Sequence, residues 1–286
     1  MRIFSLFLIL VSFISLTAVG QNTSKRIDFA TYLLNQQFNQ EAIYESNQIL
    51  QLRISPPQKD SLHYIRGWAE YNLKELRASS QSLKQVGHSS VFYPKSQLFG
   101  AYNLIYLGDF GKASAMLDSF KTETPLNRHF SLFLRSGIDL LQRDIPSFRE
   151  TVNKIPADYY GYTKELSQLN VIADELATHK RKSPLLAGIL SGILPGSGQV
   201  YSGKTGQGIA ALLLTSGLSL VVIENFNKRG PDKFETIFFG SVFTVFYIGN
   251  IYGAAFSAKI ANDDYNALTD KQILFNLHIP LRNIFN

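Results

Sequence analysis

The chain of 286 residues contains no cysteine. That absence excludes disulfides, thiolate catalysis, zinc–thiolate centres and a lipid-modified cysteine, so any membrane anchor has to be peptide. Charge is missing in one long stretch: from Ser183 to Ile223 the only charged side chain is Lys204. The five histidines, at 63, 88, 129, 179 and 278, are scattered and offer no i,i+4 metal pair. No G-x-S-x-G elbow is present, and no Ser, His and acid are grouped by local context. Asp263-Asp264 reads as a solvated helix end rather than an acid/base pair. The formal charge of +6 is too dispersed for a nucleic-acid footprint. These absences leave no catalytic residue, metal or cofactor to nominate, and the expectation is a non-enzyme that binds no nucleic acid.

What is present divides the chain into a polar part, residues 21–182, and an apolar part after it. The start reads as a targeting segment: Arg2, an apolar run from Ile3 to Leu16, then Ala18-Val19-Gly20 as a cleavage site, giving a signal peptide over 1–20. From 21 to 156 apolar residues recur at helical spacing between proline or polar breaks, with no hairpin signals. Aromatic or aliphatic turn residues fall at Phe38, Leu76, Phe110 and Ile145, which are 38, 34 and 35 residues apart.

The clearest unit, Gly108-Asp109-Phe110 with Ala113, Leu117, Phe120 and a closing Pro125, resembles the second half of a tetratricopeptide repeat, whose period is about 34 residues. The first unit departs from the pattern by carrying one extra residue between Phe38 and Ala42, and the fourth has Phe148 where a small residue is expected. The resemblance implies a short superhelical array with a partner-binding groove. Aligned on Leu76 and Phe110, that groove carries Tyr64, Trp68, Tyr71, Asn72, Tyr102 and Tyr106. Aromatics at such positions either anchor a protein or peptide partner or pack helix against helix, and the residues leave both open.

Residues 157–182 read as a connecting helix ending in the basic run Lys180-Arg181-Lys182. Within 183–258, residues 209–223 and 234–258 are candidate spans and 185–201 is a third, giving two to three membrane segments. Small residues four apart, Gly188 and Gly192 in one segment and Gly249 and Gly253 in another, suit close helix packing in lipid. The turn Pro195-Gly196-Ser197-Gly198-Gln199-Val200-Tyr201-Ser202-Gly203 resembles the Pro-Gly-x-Gly-Gln-x-Tyr-x-Gly hairpin of a small bacterial membrane domain often appended to helical repeats. That family brings no activity with it. Gly198 to Thr205 also fits the phosphate-loop pattern G-x-x-x-x-G-K-[ST], but no strand precedes it, and a phosphate loop needs one.

The tail, 259–286, alternates apolar and polar residues and reads as interfacial or as a short strand. Export of residues 21–182 puts Lys180-Arg181-Lys182 on the wrong side for the positive-inside rule; the signal-peptide grammar is weighted above it. The expectation is an all-α membrane protein of the bacterial inner membrane, its array on the periplasmic side. Its role would be a scaffold for a protein or peptide partner, in contact with lipids, with homo-oligomerisation left open. The alternative is an accessory subunit of a transport or insertion machine working through its hairpin.

Overall fold

In the computed structural model of the protein, residues 23–156 and 161–285 are described, so the signal segment lies outside the described residues. All regular structure among them is helical. The chain divides into two units. The first comprises the described residues up to Ala177 together with the segment from Ile273, and the second runs Thr178–Gln272.

The first unit begins with four helix pairs: α1 (residues 23–35) with α2 (Asn39–Leu50), α3 (Pro56–Asn72) with α4 (Leu76–Lys84), α5 (Tyr93–Tyr106) with α6 (Phe110–Asp118), and α7 (Pro125–Leu141) with α8 (Ile145–Val152). Helix α9 (Thr163–Thr178) comes next. Prolines mark the starts of α3, α5 and α7: Pro56 and Pro125 are first helical residues, and Pro94 is a second. There a missing N–H costs nothing, because the first-turn donors have no intrahelical partner. Ser55 adds a capping box with Gln58 at the head of α3.

One turn closes all four pairs. Gln37, Lys74, Gly108 and Arg143 each take φ between 63° and 74°. The next residue's N–H then reaches back five residues, Phe38 to Leu33 O, Glu75 to Glu70 O, Asp109 to Leu104 O and Asp144 to Asp139 O, at 2.8–2.9 Å. This left-handed cap satisfies carbonyls that the helix end leaves bare. In the first pair Phe38 holds the place of Glu75, Asp109 and Asp144, not that of Leu76, so the surplus residue in the first unit is a register shift of one. Ala42, Ser79, Ala113 and Phe148 then become equivalent, each donating its N–H to the turn residue's carbonyl.

The second unit contains α10 (Pro184–Ile193), α11 (Ser197–Tyr201), α12 (Thr205–Arg229) and the greater part of α13 (Phe234–Phe285). Helices α12 and α13 are long and apolar enough to cross a membrane, with mean hydropathy 1.8 and 1.4 in their most apolar windows. The expected third span over 185–201 is not one: α10 has ten residues, about 15 Å of helix, and a bilayer core is roughly twice as thick.

Two further expectations are corrected. Asp263 and Asp264 are exposed in the middle of α13, not at its end. The tail is neither a strand nor an interfacial strip, because α13 continues to Phe285 and its last turns belong to the first unit. Ile273, Leu277 and Leu281 are four apart, lie on one helix face and are 0% exposed in that unit's core. The apparent alternation of the tail concealed this period of four.

Candidate functional site

The aromatic residues expected to line a groove come from α3 and α5. Tyr102 and Tyr71 are buried, Tyr64 and Trp68 partly so, while Asn72 and Tyr106 are exposed. The structure therefore separates the six. Three of them form a continuous aromatic wall with Phe99: Tyr64 stacks on Trp68 at 6.1 Å between ring centroids, Trp68 on Tyr71 at 5.1 Å, and Phe99 meets Trp68 edge-on at 4.7 Å. Tyr102 sits one helix along, with Tyr106 at its rim. Asn72 donates to Asn39 Oδ1 at 2.9 Å and ties α3 to α2.

Against this wall lies the chain's own segment 273–285. The Tyr102 hydroxyl donates to Leu274 O at 3.3 Å, and its ring stacks on the His278 imidazole at 5.0 Å. The Tyr71 hydroxyl hydrogen-bonds His278 Nε2. Lys95 places its ammonium 3.9 Å from the Trp68 ring centre and donates to Phe285 O at 2.8 Å. On α7, Gly137 lets Leu277 approach closely: a Cβ there would fall 2.3 Å from the Leu277 side chain. Sequence reasoning missed this occupant and with it Lys95, Gly137, His278 and Arg282. The one available signal was the Ile273, Leu277, Leu281 spacing.

Burial sets the electrostatics. It raises the Tyr64 phenol to about 12 and raises those of Tyr102 and Tyr71, Arg282 partly opposing it at Tyr71. It lowers the Lys95 ammonium and the His278 imidazole, the latter helped by Arg282 and Lys74. The phenols stay neutral at neutral pH. Between residues 34–37, α3 and the last turns of α13 a cavity of about 390 Å3 stays open. It is lined by Leu34, Asn35, Gln37, Trp68, Tyr71, Asn72, Lys74, His278 and Arg282.

The turn of the second unit is built differently. Gly196 (φ 87°) and Gly203 (φ 81°) supply its left-handed positions. Gly196 and Gly208 lie so close that a Cβ on Gly196 would be 2.0 Å from Gly208 O, and one on Gly198 would be 1.9 Å from Ala187 O. Gln199 is 5% exposed; its amide accepts from Ser191 Oγ at 2.9 Å and donates to Asn250 Oδ1 at 3.0 Å. Asn250 in turn accepts from the Gly196 N–H at 3.2 Å and donates to Ser191 O at 3.3 Å. The Tyr201 hydroxyl accepts the Ser183 N–H at 3.1 Å, and the Pro195 ring precedes the left-handed glycine.

Gly188 and Gly192 face Ile251 at ordinary contact distance and Gly253 faces the Gln199 amide, but nothing lies within 4 Å of a Cβ on Gly249, which is corrected as a packing position. Gly198 to Thr205 holds no phosphate cradle. Its N–H groups are spent internally, Gly198 on Ser191 Oγ, Ser202 on Gly198 O, Gly203 on Val200 O and Lys204 on Gln199 O, and α10 and α11 stand where a strand is needed. Gly203-Lys204-Thr205 has the same turn as Gly108-Asp109-Phe110, with Gly208 in the place of Ala113.

Among the described residues no cluster of His, Asp and Glu could hold a metal ion. The chain matches no protein-family model, no curated protein and no solved structure.

Proposed function

We propose that the protein is a non-catalytic scaffold of the bacterial cell envelope. A tetratricopeptide-like helical array captures a protein or peptide partner on its aromatic face, and a hairpin of α12 and α13 anchors it in the inner membrane. The observation that carries this reading is the groove's occupant. The aromatic wall of α3 and α5 already holds an amphipathic helix, residues 273–285, through a four-residue apolar stripe and bonds from Tyr102 and Lys95 to its backbone carbonyls. A surface so shaped suits helix-in-groove recognition, where apolar anchors four apart set the fit.

Four supports stand behind the array. The identical left-handed turns recur, the small residues Ala42, Ser79 and Ala113 repeat after them, and Ala30, Gly67, Ala101 and Ser136 repeat before them. Each pair also leaves an apolar face that only a neighbour can bury.

The anchor is supported by an inverted distribution of residues in the second unit. Leu185, Leu213, Leu220, Phe234, Val245 and Phe256 are exposed, whereas Ser191, Gln199, Asn250 and Asn262 are buried. Apolar side chains turned outward are stable where the surroundings are hydrocarbon.

The test is a photocrosslinking residue at Tyr106, 55% exposed at the groove rim, in cells producing the full chain. A discrete protein adduct that disappears with Trp68→Ala is expected; absence of any adduct sinks the reading. A protease-cleavable tag near Lys180 places the array, since cleavage after opening only the outer barrier marks export.

A second reading, an accessory subunit of a transport or insertion machine, is favoured by a cavity of about 360 Å3 beside the Gln199–Asn250 pair, lined by Leu214, Val245, Phe246 and Gly249. Under it, Gly249→Leu, which fills that cavity, abolishes function while Tyr106 crosslinking persists.

A further inference from the structure

The 390 Å3 cavity beside the docked helix is polar and basic on one side and aromatic on the other. Lys74 stands at the left-handed turn between α3 and α4, and Arg282 stands on the last turn of α13. Neither has a carboxylate within ion-pairing distance among the described residues, although ion pairs are frequent elsewhere in the unit, as at Arg26–Glu45 and Lys112–Asp109. No Asp or Glu lines the cavity, while the amides of Asn35, Gln37 and Asn72 do. Trp68 and Tyr71 are the aromatic part of its lining, and Lys74 also sits 5.4 Å from the Tyr71 ring centre. Two cations facing one concavity with no carboxylate partner among the described residues repel each other and attract an anion. Arg adds the planar fork that suits a carboxylate.

We propose that this cavity receives the carboxylate side chains of an acidic peptide, and that it exists only while residues 273–285 are docked. The proposal rests on the partner-binding reading above and gives that partner its charge. Lys74 and Arg282 contact the carboxylates, the Asn and Gln amides serve the peptide backbone, and Trp68 covers its apolar stems. Because Arg282 and His278 come from α13 and the remaining lining from residues 34–74, the acidic peptide and the docked helix stabilise each other: ligand that binds only the assembled cavity shifts the docking equilibrium by mass action. The docked helix is thus one wall of the site, and the partner lies beside it rather than in its place.

Trp68 is the single tryptophan of the chain and lines the cavity, so its emission reports occupancy directly. The full chain in detergent micelles is titrated with hexaglutamate, with hexaglutamine and with inorganic phosphate, at matched ionic strength. The expected result is a saturable change in Trp68 emission with hexaglutamate alone. Binding should weaken about tenfold in Lys74→Gln and in Arg282→Gln, the size of one lost charge-assisted contact. Both side chains are exposed, so these variants fold; an unchanged thermal midpoint checks that.

Amide exchange across 273–285 should slow when hexaglutamate is bound, and unchanged exchange overturns the composite wall. Phosphate acting as well as hexaglutamate reduces the cavity to a small-oxyanion site and overturns the peptide. Equal binding of hexaglutamine overturns the charge assignment and leaves the groove reading standing. If no peptide moves Trp68 this proposal fails outright, and Tyr106 crosslinking then decides the groove reading separately.

Discussion

The turn at Gly108-Asp109 and the turn at Gly203-Lys204 have the same hydrogen bonds, yet the two units around them are assembled on opposite principles. Around the first, Phe99, Phe130, Phe133, Leu134 and Leu277 are fully buried, and Glu70 and Glu165 are the charged residues that join them among the described residues. Around the second, glycine backbones touch, a Ser191–Gln199–Asn250 knot fills the interior and large apolar side chains face out. In water, burial of apolar area drives association at roughly 25 cal/mol per Å2. Where the surroundings are themselves apolar that drive vanishes, and close backbone approach with internal hydrogen bonds takes its place. The same local turn therefore serves two kinds of interior, one filled by large apolar side chains and one by close backbones and hydrogen-bonded amides.

The sharpest break of this contrast is steric. Gly198→Leu puts its Cβ into Ala187 O and cannot be relieved by side-chain motion. It should cost more than the roughly 1–3 kcal/mol of ordinary overpacking and abolish a folded second unit, read as loss of the protein from detergent-stable membrane fractions. Gly217→Leu, which meets nothing within 4 Å, should leave that fraction unchanged; equal damage from both would dissolve the argument from close approach.

In the first unit the corresponding break is a cavity. Leu277→Ala should destabilise docking by about 2–5 kcal/mol and expose 273–285 to protease, whereas the exposed Phe275→Ala should not.

Third in size, Gln199→Leu leaves the Ser191 hydroxyl without its acceptor and removes one of the two donors to Asn250 Oδ1. A loss of about 1–2 kcal/mol is expected in lipid, measured as a lowered thermal midpoint in micelles.

Acid should act on the docked helix of the first unit. The docked His278 is held below the ordinary imidazole value by burial, Arg282 and Lys74, with the Tyr71 hydroxyl and the Tyr102 ring as its other neighbours. A group whose folded pKa is depressed contributes stability above its unfolded value, about 6.5, and loses it as pH falls through the folded one. Trp68 emission should therefore shift on acidification below that value, reversibly, and the shift should vanish in His278→Gln. The smallest effect belongs to the turns themselves. Arg143→Gly relieves a left-handed φ of 64° and should stabilise by no more than about 1 kcal/mol, seen as a slight rise in midpoint.

Helices and turns were legible where a local signal exists: Gly108-Asp109, the prolines at helix starts and the uncharged stretch after Ser183 all announce themselves within a few residues. The partner of Gln199 was not, because Asn250 lies 51 positions away and nothing near Gln199 refers to it. The six groove positions were found on α3 and α5, but their neighbour was hidden. Segment 273–285 carries its apolar stripe at every fourth residue, and Leu274, Phe275 and Ile279 between them blur the period. Register in the first pair was off by one because Phe38 imitates Phe110 in chemistry while holding the place of Asp109.

The first unit is discontinuous in the chain: its core takes Ile273, Leu277 and Leu281 from beyond the whole of 178–272. During synthesis the helices up to Ala177 emerge first and have to wait, aromatic wall uncovered, while residues 178–272 are made. Completion of that core is therefore a late event in the protein's biogenesis. Until it occurs, Trp68 and Tyr102 face whatever chaperone or neighbouring chain is nearest, and the docking of 273–285 marks the moment a nascent molecule becomes a mature one.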